Sequence, residues 1–197
     1  MRKKITAAAL GLGIAGAAVF VTGGSAQGHG YSEGPTSRQA FCASGEATGC
    51  GAVEYEPQSV EGPKGFPAAG PEDGQICSGG NEGFGELDDP RDGNWPATEL
   101  TPGESHTFTW KLTAPHSTTD FQYFLTTDDY DPTQPLTRDA LEDEPFLTVP
   151  LDGAQPDFQE SHEGTIPDGK SGRHLIVGVW NIEDTENAFY ACSDVDL

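Results

Sequence analysis

Residues 106–113 read HTFTWKLT, and residues 173–182 read RHLIVGVWNI. In the first stretch Phe108, Trp110 and Leu112 alternate with polar residues, the period of a strand with one face buried and the other in water. Further runs, FQYFLT (121–126), PFLTVPL (145–151), RHLIVGVWNI and NAFYACSDVDL (187–197), also have strand character. Turns rich in Pro, Gly and Asp separate them, and no helical periodicity exceeds two turns. Short strands punctuated in this way predict an all-β fold. The expectation is an antiparallel β-sandwich of roughly seven strands, of fibronectin or immunoglobulin type.

Upstream of this block the pattern changes. From Ser32 to Pro102 the chain is dominated by Gly, Pro, Ser and acids, with few periodic apolar runs. A segment this long without regular structure is uncommon in a compact domain unless it is functional or packed internally. The four cysteines bear on this. An even number in an exported chain implies two disulfides, and four cysteines permit three pairings. Cys42 and Cys50 are close enough to shut a local loop, which leaves Cys77 for Cys192 on the last strand. The insertion is therefore expected to be stapled and ordered. No C-x-x-C spacing supports a metal cluster instead.

Export is expected from the first residues. Met1-Arg2-Lys3-Lys4 precedes an almost wholly apolar run from Ile5 to Val21, the charge pattern of a secretory leader. The run is short and rich in Gly and Ala, and no stop-transfer charges follow it. Two cuts satisfy the small-residue rule. One, after Gly28, gives a chain starting His29-Gly30-Tyr31. The other, after Ala26, leaves two residues ahead of the histidine.

The precursor carries a formal charge of −22. Without the three basic residues of the leader, 7 basic residues face 32 acidic ones, near −25. Such a surface repels nucleic acid and anionic membranes, so neither is expected as a partner. A neutral polysaccharide or a cation suits it better. So many acids invite a paired-carboxylate glycosidase, but no spacing marks a pair.

Among five histidines, His106, His162 and His174 lie beside strand-like or polar segments, where a packed or surface imidazole is the ordinary expectation. His29 differs if the cut frees it. A terminal histidine offers its amine and its ring Nδ1 to one metal, and another imidazole completes a planar set of three nitrogens. Such a set with open positions favours copper. The amine must be neutral to bind, which its ordinary pKa of about 8 makes inexpensive.

The blocks HGYSEGPTSRQAFC (29–42), YEPQSVEGPKGFP (55–67), TWKLTAPHSTTDFQYF (109–124) and VWNIEDTENAFY (179–190) resemble bacterial lytic polysaccharide monooxygenases. The likeness is to the chitin-binding-protein branch, auxiliary activity family ten. It extends over essentially all of residues 29–197 and is weaker over 71–105 and 127–160. The resemblance implies a leader at 1–28 and a mature domain at 29–197 that begins at a copper-binding histidine. It implies copper on His29 and His116, with Phe189 and Ala114 at the two axial sides and Glu61 as a nearby acid that positions water, oxygen or peroxide. Catalytic roles would thus fall to His29, His116, Glu61 and Phe189. A flat polysaccharide-binding face is implied for Tyr55, Glu56, Pro57, Gln58, Ser59, Glu61, Thr113 and Asp184.

The implied activity is that of a secreted, extracellular and monomeric copper-dependent enzyme acting on insoluble chitin. It would oxidise C1 at a glycosidic bond to leave aldonic-acid ends, with dioxygen or hydrogen peroxide as co-substrate and an external reductant as electron donor. Cellulose as the substrate and a non-catalytic chitin-binding protein are the alternatives. A periplasmic copper carrier fits less well, because the chain has no Met-rich segment.

Overall fold

The structure, a computed structural model, describes residues 28–197. The expected leader lies outside the described residues, apart from Gly28. Strands β1 (His29–Gly34), β4 (Ser105–Ala114) and β7 (Gln159–Thr165) form a three-stranded sheet in the order β1-β4-β7. A second sheet contains β2 (Glu61–Pro63), β5 (Thr118–Leu125), β6 (Leu147–Pro150), β8 (Arg173–Ile182) and β9 (Asn187–Asp196). Its order is β2-β9-β8-β5-β6. The two-residue β3 (Thr98–Glu99) adds to β9 in parallel, the one departure from antiparallel pairing among the described residues. The fold is the expected immunoglobulin-like β-sandwich.

Residues 106–113 and 173–182 differ in pattern because their strands have different neighbours. β4 alternates, with Phe108, Trp110 and Leu112 facing the second sheet and Lys111 and Thr113 facing water. Nearly all of β8 is buried, as a near-continuous apolar run demands. Its Ile176, Trp180 and Ile182 join Phe121, Tyr123, Phe189 and Val195 in the core between the sheets. Its Leu175, Val177 and Val179 face the other way, into a second core. Gly178 makes room within the first: a Cβ there would stand 3.2 Å from the indole of Trp110.

The second core is what the 32–102 insertion supplies. Phe41, Val53, Val60, Phe66, Ile76, Leu87 and Trp95 pack over the outer face of the larger sheet. The insertion contains β2, β3, several 3-10 turns and one helix, α1 (Arg38–Ser44). Ser37 caps the start of α1 by accepting from the Ala40 amide, and Gly45 ends it in the left-handed conformation. Both disulfides pair as sequence proximity favours, Cys42–Cys50 and Cys77–Cys192. The longer bridge ties the insertion to β9 across 115 residues. A buried ion pair adds to it: Arg38 Nε donates to Asp194 Oδ2 at 2.7 Å, and Arg38 Nη1 donates to the Leu87 carbonyl at 2.8 Å. The Trp95 ring carries the guanidiniums of Arg38 and Arg91 at 4.9 and 3.8 Å.

Strand β7 was not expected. Its sequence QESHEGT is polar, and only His162 and Gly164 are buried. It pairs with β4 from Ser105↔Thr165 to Lys111↔Gln159 and exposes the rest. Backbone pairing and a single inward histidine hold it, leaving no apolar alternation to read.

Candidate functional site

His29 opens β1 opposite Ala114, the last residue of β4, with an irregularity in register immediately after it. Pro115, which has no N–H to continue the ladder, ends β4 and turns the chain to His116. The His116 carbonyl accepts the Thr118 hydroxyl at 2.8 Å, and the Trp180 indole N–H donates to that hydroxyl at 2.7 Å. The His116 turn is thereby anchored to the core of β8. Three chain segments far apart in sequence thus meet at one end of the sandwich.

Phe189 and Trp180 form the floor, with ring centroids 5.0 Å apart, and the His29 ring lies 6.2 Å from that of Phe189. Gly28 shows how these groups converge. A Cβ built on it would stand 3.2 Å from His116 Cβ, 3.2 Å from Trp180 and 3.3 Å from Phe189. The position just before His29 therefore lies in a narrow space bounded by the other three residues.

Glu61 begins β2 directly opposite Phe189. Asn187, two residues before Phe189, donates from Nδ2 to Glu61 Oε1 at 2.6 Å and fixes that carboxylate. Asp184 Oδ1 stands 3.3 Å from His116 Nδ1, but the geometry makes no hydrogen bond, and this ring nitrogen is buried without a partner. A buried imidazole nitrogen left in this state is costly unless another group supports the ring. Ala114 is half-buried beside His29, and the exposed Thr113 donates its hydroxyl to the His29 carbonyl at 3.4 Å.

The loop carrying Tyr55 lies along β1. Tyr55 is 85 % exposed and closes a 3-10 turn, Gly51–Glu54, that begins at the Cys42–Cys50 bridge. Glu54 accepts the Cys50 amide at 3.0 Å and stiffens this turn. Glu56 is exposed, and Gln58 and Ser59 are half-exposed. Pro57, grouped with the surface residues above, is buried at the start of the next turn, where it shapes the loop instead of offering a surface.

The other histidines sit apart. His162 is buried, with Nδ1 2.8 Å from the Tyr123 hydroxyl, and burial pushes its pKa down. His174 is buried with Nδ1 2.9 Å from the Thr126 hydroxyl, and burial, aided by Lys170, also lowers it. His106 bonds the Thr101 carbonyl. Among the described residues no cluster of three or more His, Cys, Asp or Glu side chains could hold a metal. His29 and His116 are brought together at this end without a third His, Cys, Asp or Glu side chain to complete a cluster among the described residues.

Two contributors escaped the sequence reading. Asn187 and Trp180 both lie within quoted blocks, but neither residue type announces a role; strand pairing alone places them. Asn187 has the stronger signal, sharing a face with Phe189 two positions away on a strand.

Comparison with known proteins bears on this end of the molecule. A family profile described as lytic polysaccharide mono-oxygenase, cellulose-degrading, matches residues 29–195. The AA10 family lytic polysaccharide monooxygenase C of Mycosarcoma maydis is 43 % identical over 172 residues, 86 % of this chain and 52 % of that protein. GlcNAc-binding protein A of Shewanella oneidensis is 39 % identical over 173 residues, 88 % of this chain and 36 % of its own length. The chain thus spans about half or less of these curated relatives. A solved AA10 lytic polysaccharide monooxygenase from Streptomyces lividans shares 52 % identity, with TM-score 0.84, over 86 % of this chain and all of that one. A Bacillus amyloliquefaciens CBM33 solved in complex with Cu(I) shares 42 % identity, with TM-score 0.78, over 86 % of this chain and 99 % of that one.

Proposed function

Because this chain belongs to the lytic polysaccharide monooxygenases of auxiliary activity family ten, we propose that it is a secreted copper enzyme that cleaves crystalline chitin oxidatively at C1. The observation that carries this reading is the convergence of His29 and His116 over Phe189, in a molecule with no competing cluster of ligating side chains among the described residues. The residues suit copper: two imidazoles, an amine freed by a cut after Gly28, and no thiolate or carboxylate among the donors. Bound there, copper supplies one-electron redox chemistry toward dioxygen or hydrogen peroxide, with electrons from an outside reductant.

The chain's own residues do the rest. The ring and amine of His29 and the ring of His116 would hold the metal. Phe189 and Ala114 would keep the space around the metal apolar and narrow. Asn187 holds Glu61 in place, and Glu61 positions the co-substrate and its protons. Tyr55 offers a flat ring to a sugar face, with Glu56, Gln58, Ser59, Thr113 and Asp184 around it. Hydroxylation at C1 breaks the glycosidic bond and leaves a lactone that hydrates to an aldonic acid.

Chitin is favoured over cellulose by YEPQSVEGPKGFP and by relatives named for binding GlcNAc. The description of the matching family favours cellulose. Those GlcNAc-binding names also favour a second reading, binding without turnover. Mass spectrometry of products released from β-chitin and from cellulose by the copper-loaded protein, with ascorbate and peroxide, separates these readings. Aldonic acids from chitin are expected. Aldonic acids from cellulose alone would move the substrate, and binding without oxidised products would leave a binding protein.

A further inference from the structure

Two large apolar side chains stand out in water among the described residues: Tyr55, 85 % exposed, and Phe158, 69 % exposed. Tyr55 is accounted for by the face around His29. Phe158, in QPDFQES, was singled out by no motif. A phenylalanine has no hydroxyl to satisfy in water, so its exposure costs more than that of Tyr55.

Its position follows from the sheet. The Phe158 carbonyl accepts the Leu112 amide at 2.8 Å, just ahead of β7, so it stands beside the end of β4 that leads to His116. The loop preceding it runs along the His116 turn. Ser117 donates to the Gly153 carbonyl at 2.7 Å, the Thr118 amide to the Ala154 carbonyl at 3.0 Å, and Gln155 to the Pro115 carbonyl at 3.1 Å. The backbone under Phe158 is therefore fixed to the site. The turn at Pro57–Ser59 packs against β1, at the opposite edge of the same sheet. The loop that carries Tyr55 and the segment that carries Phe158 thus lie at the β1 and β7 edges of one sheet, with His29 opening β1, and two strand spacings separate those edges by roughly 10 Å.

Phe158 also borders a groove of about 490 Å³ lined by Glu33, Lys111, Leu112, Thr113 and Gln159. Its two charged side chains neutralise each other, Lys111 Nζ lying 3.1 Å from Glu33 Oε1. Thr113 joins the groove to the site through its bond to the His29 carbonyl. An occupant must therefore be uncharged and must present an apolar face to Phe158 and polar edges to Thr113 and Gln159. A pyranose ring has that character: axial C–H groups on its faces and hydroxyls around its rim. The strong negative charge of the whole chain disfavours an anionic ligand.

We propose that Phe158 and the adjoining groove form a second sugar platform, so that one polysaccharide strand, or neighbouring strands of a crystal surface, is gripped on both sides of His29. The inference rests on the polysaccharide reading above and adds a residue and a direction to it. Phe158→Ala is the test, with Phe158→Tyr and Tyr55→Ala beside it, in the full chain expressed and secreted with copper loaded. The dissociation constant for β-chitin is expected to rise about five- to tenfold in Phe158→Ala. Phe158→Tyr should restore it, and copper affinity and melting temperature should stay unchanged. In oxidation assays the loss should appear at low substrate and vanish at saturation. The inference is overturned if Phe158→Ala binds β-chitin as the wild type does, whether or not Tyr55→Ala is weakened. Should the wild type bind neither chitin nor cellulose, the polysaccharide reading falls and this platform falls with it.

Discussion

His29 and His116 lie at one end of the sandwich, and His162 and His174 lie inside it. The interior pair is buried and partnered: each Nδ1 meets a hydroxyl, that of Tyr123 or Thr126, and burial keeps each ring neutral. The terminal pair is half-buried and converges on one space backed by the ring of Phe189; an unpartnered ring nitrogen does not separate the pairs, since Nδ1 of His116 and Nε2 of His162 both lack a hydrogen bond. A histidine buried alone, with a hydroxyl bonded to its ring, has a structural task. One held half-buried in a space shared with a second imidazole is available to a ligand.

The contrast is broken most severely by exchanging the roles through mutation. His116→Ala should leave the sandwich folded, since it follows a proline turn at the surface end of β4. Its copper affinity should fall by more than about 100-fold, beyond the loss typical of removing a ligand's supporting partner, and oxidised products should disappear. Titration calorimetry and product mass spectrometry on one sample check this. His162→Ala should do the reverse. Losing the Tyr123 bond and the packing against Phe121 should cost about 2–4 kcal/mol of stability, read by denaturant unfolding, with copper affinity unchanged.

The covalent tie between insertion and sandwich is next. Breaking Cys77–Cys192 by a double change to serine should cost roughly 2–5 kcal/mol, because the bridge closes a long loop. Copper binding should persist in whatever remains folded, since Arg38 still pairs with Asp194. A lost copper site in the folded fraction would mean that the insertion positions the metal ligands as well as Glu61 and Tyr55.

Asn187→Ala sharpens the comparison further. Without its Nδ2 donor, Glu61 is free to rotate, and a hydrogen bond to a charged group contributes about 1.5–3 kcal/mol. Oxidation should slow roughly tenfold while copper affinity holds, a split that measured rates and calorimetry together reveal. The smallest effect is in pH. Burial lowers His162 and His174 below the ordinary 6.5, so as pH falls the unfolded chain takes up protons first. Stability from this source is present above about pH 6.5 and lost below it. Melting temperatures between pH 7.5 and 5.5 should decline, and His174→Gln should flatten the decline.

The sandwich could be read where burial imprints a pattern. The alternation of 106–113 and the apolar run of 173–182 foretold β4 and β8, whereas β7 left almost no trace because only His162 and Gly164 point inward. The insertion could be foreseen as stapled but not as a second core, since Phe41, Ile76 and Trp95 lie at no fixed period. For the site, His29 stood out by its place just after an expected cut, and His116 by family resemblance. Their partners did not. Asn187 holds Glu61 only because β2 pairs with β9, and Phe158 reaches the same end of the molecule only because the unforeseen β7 lies beside β4.

If the amine and ring of His29 and the ring of His116 form one metal site, copper titration followed by electron paramagnetic resonance will show it. Three proteins serve: a chain beginning at His29, one beginning at Gly28, and His116→Ala beginning at His29. One tightly bound Cu(II) with three nitrogen ligands is expected in the first, and weak binding with an altered spectrum in the other two. Equal affinity and the same spectrum in all three would contradict it.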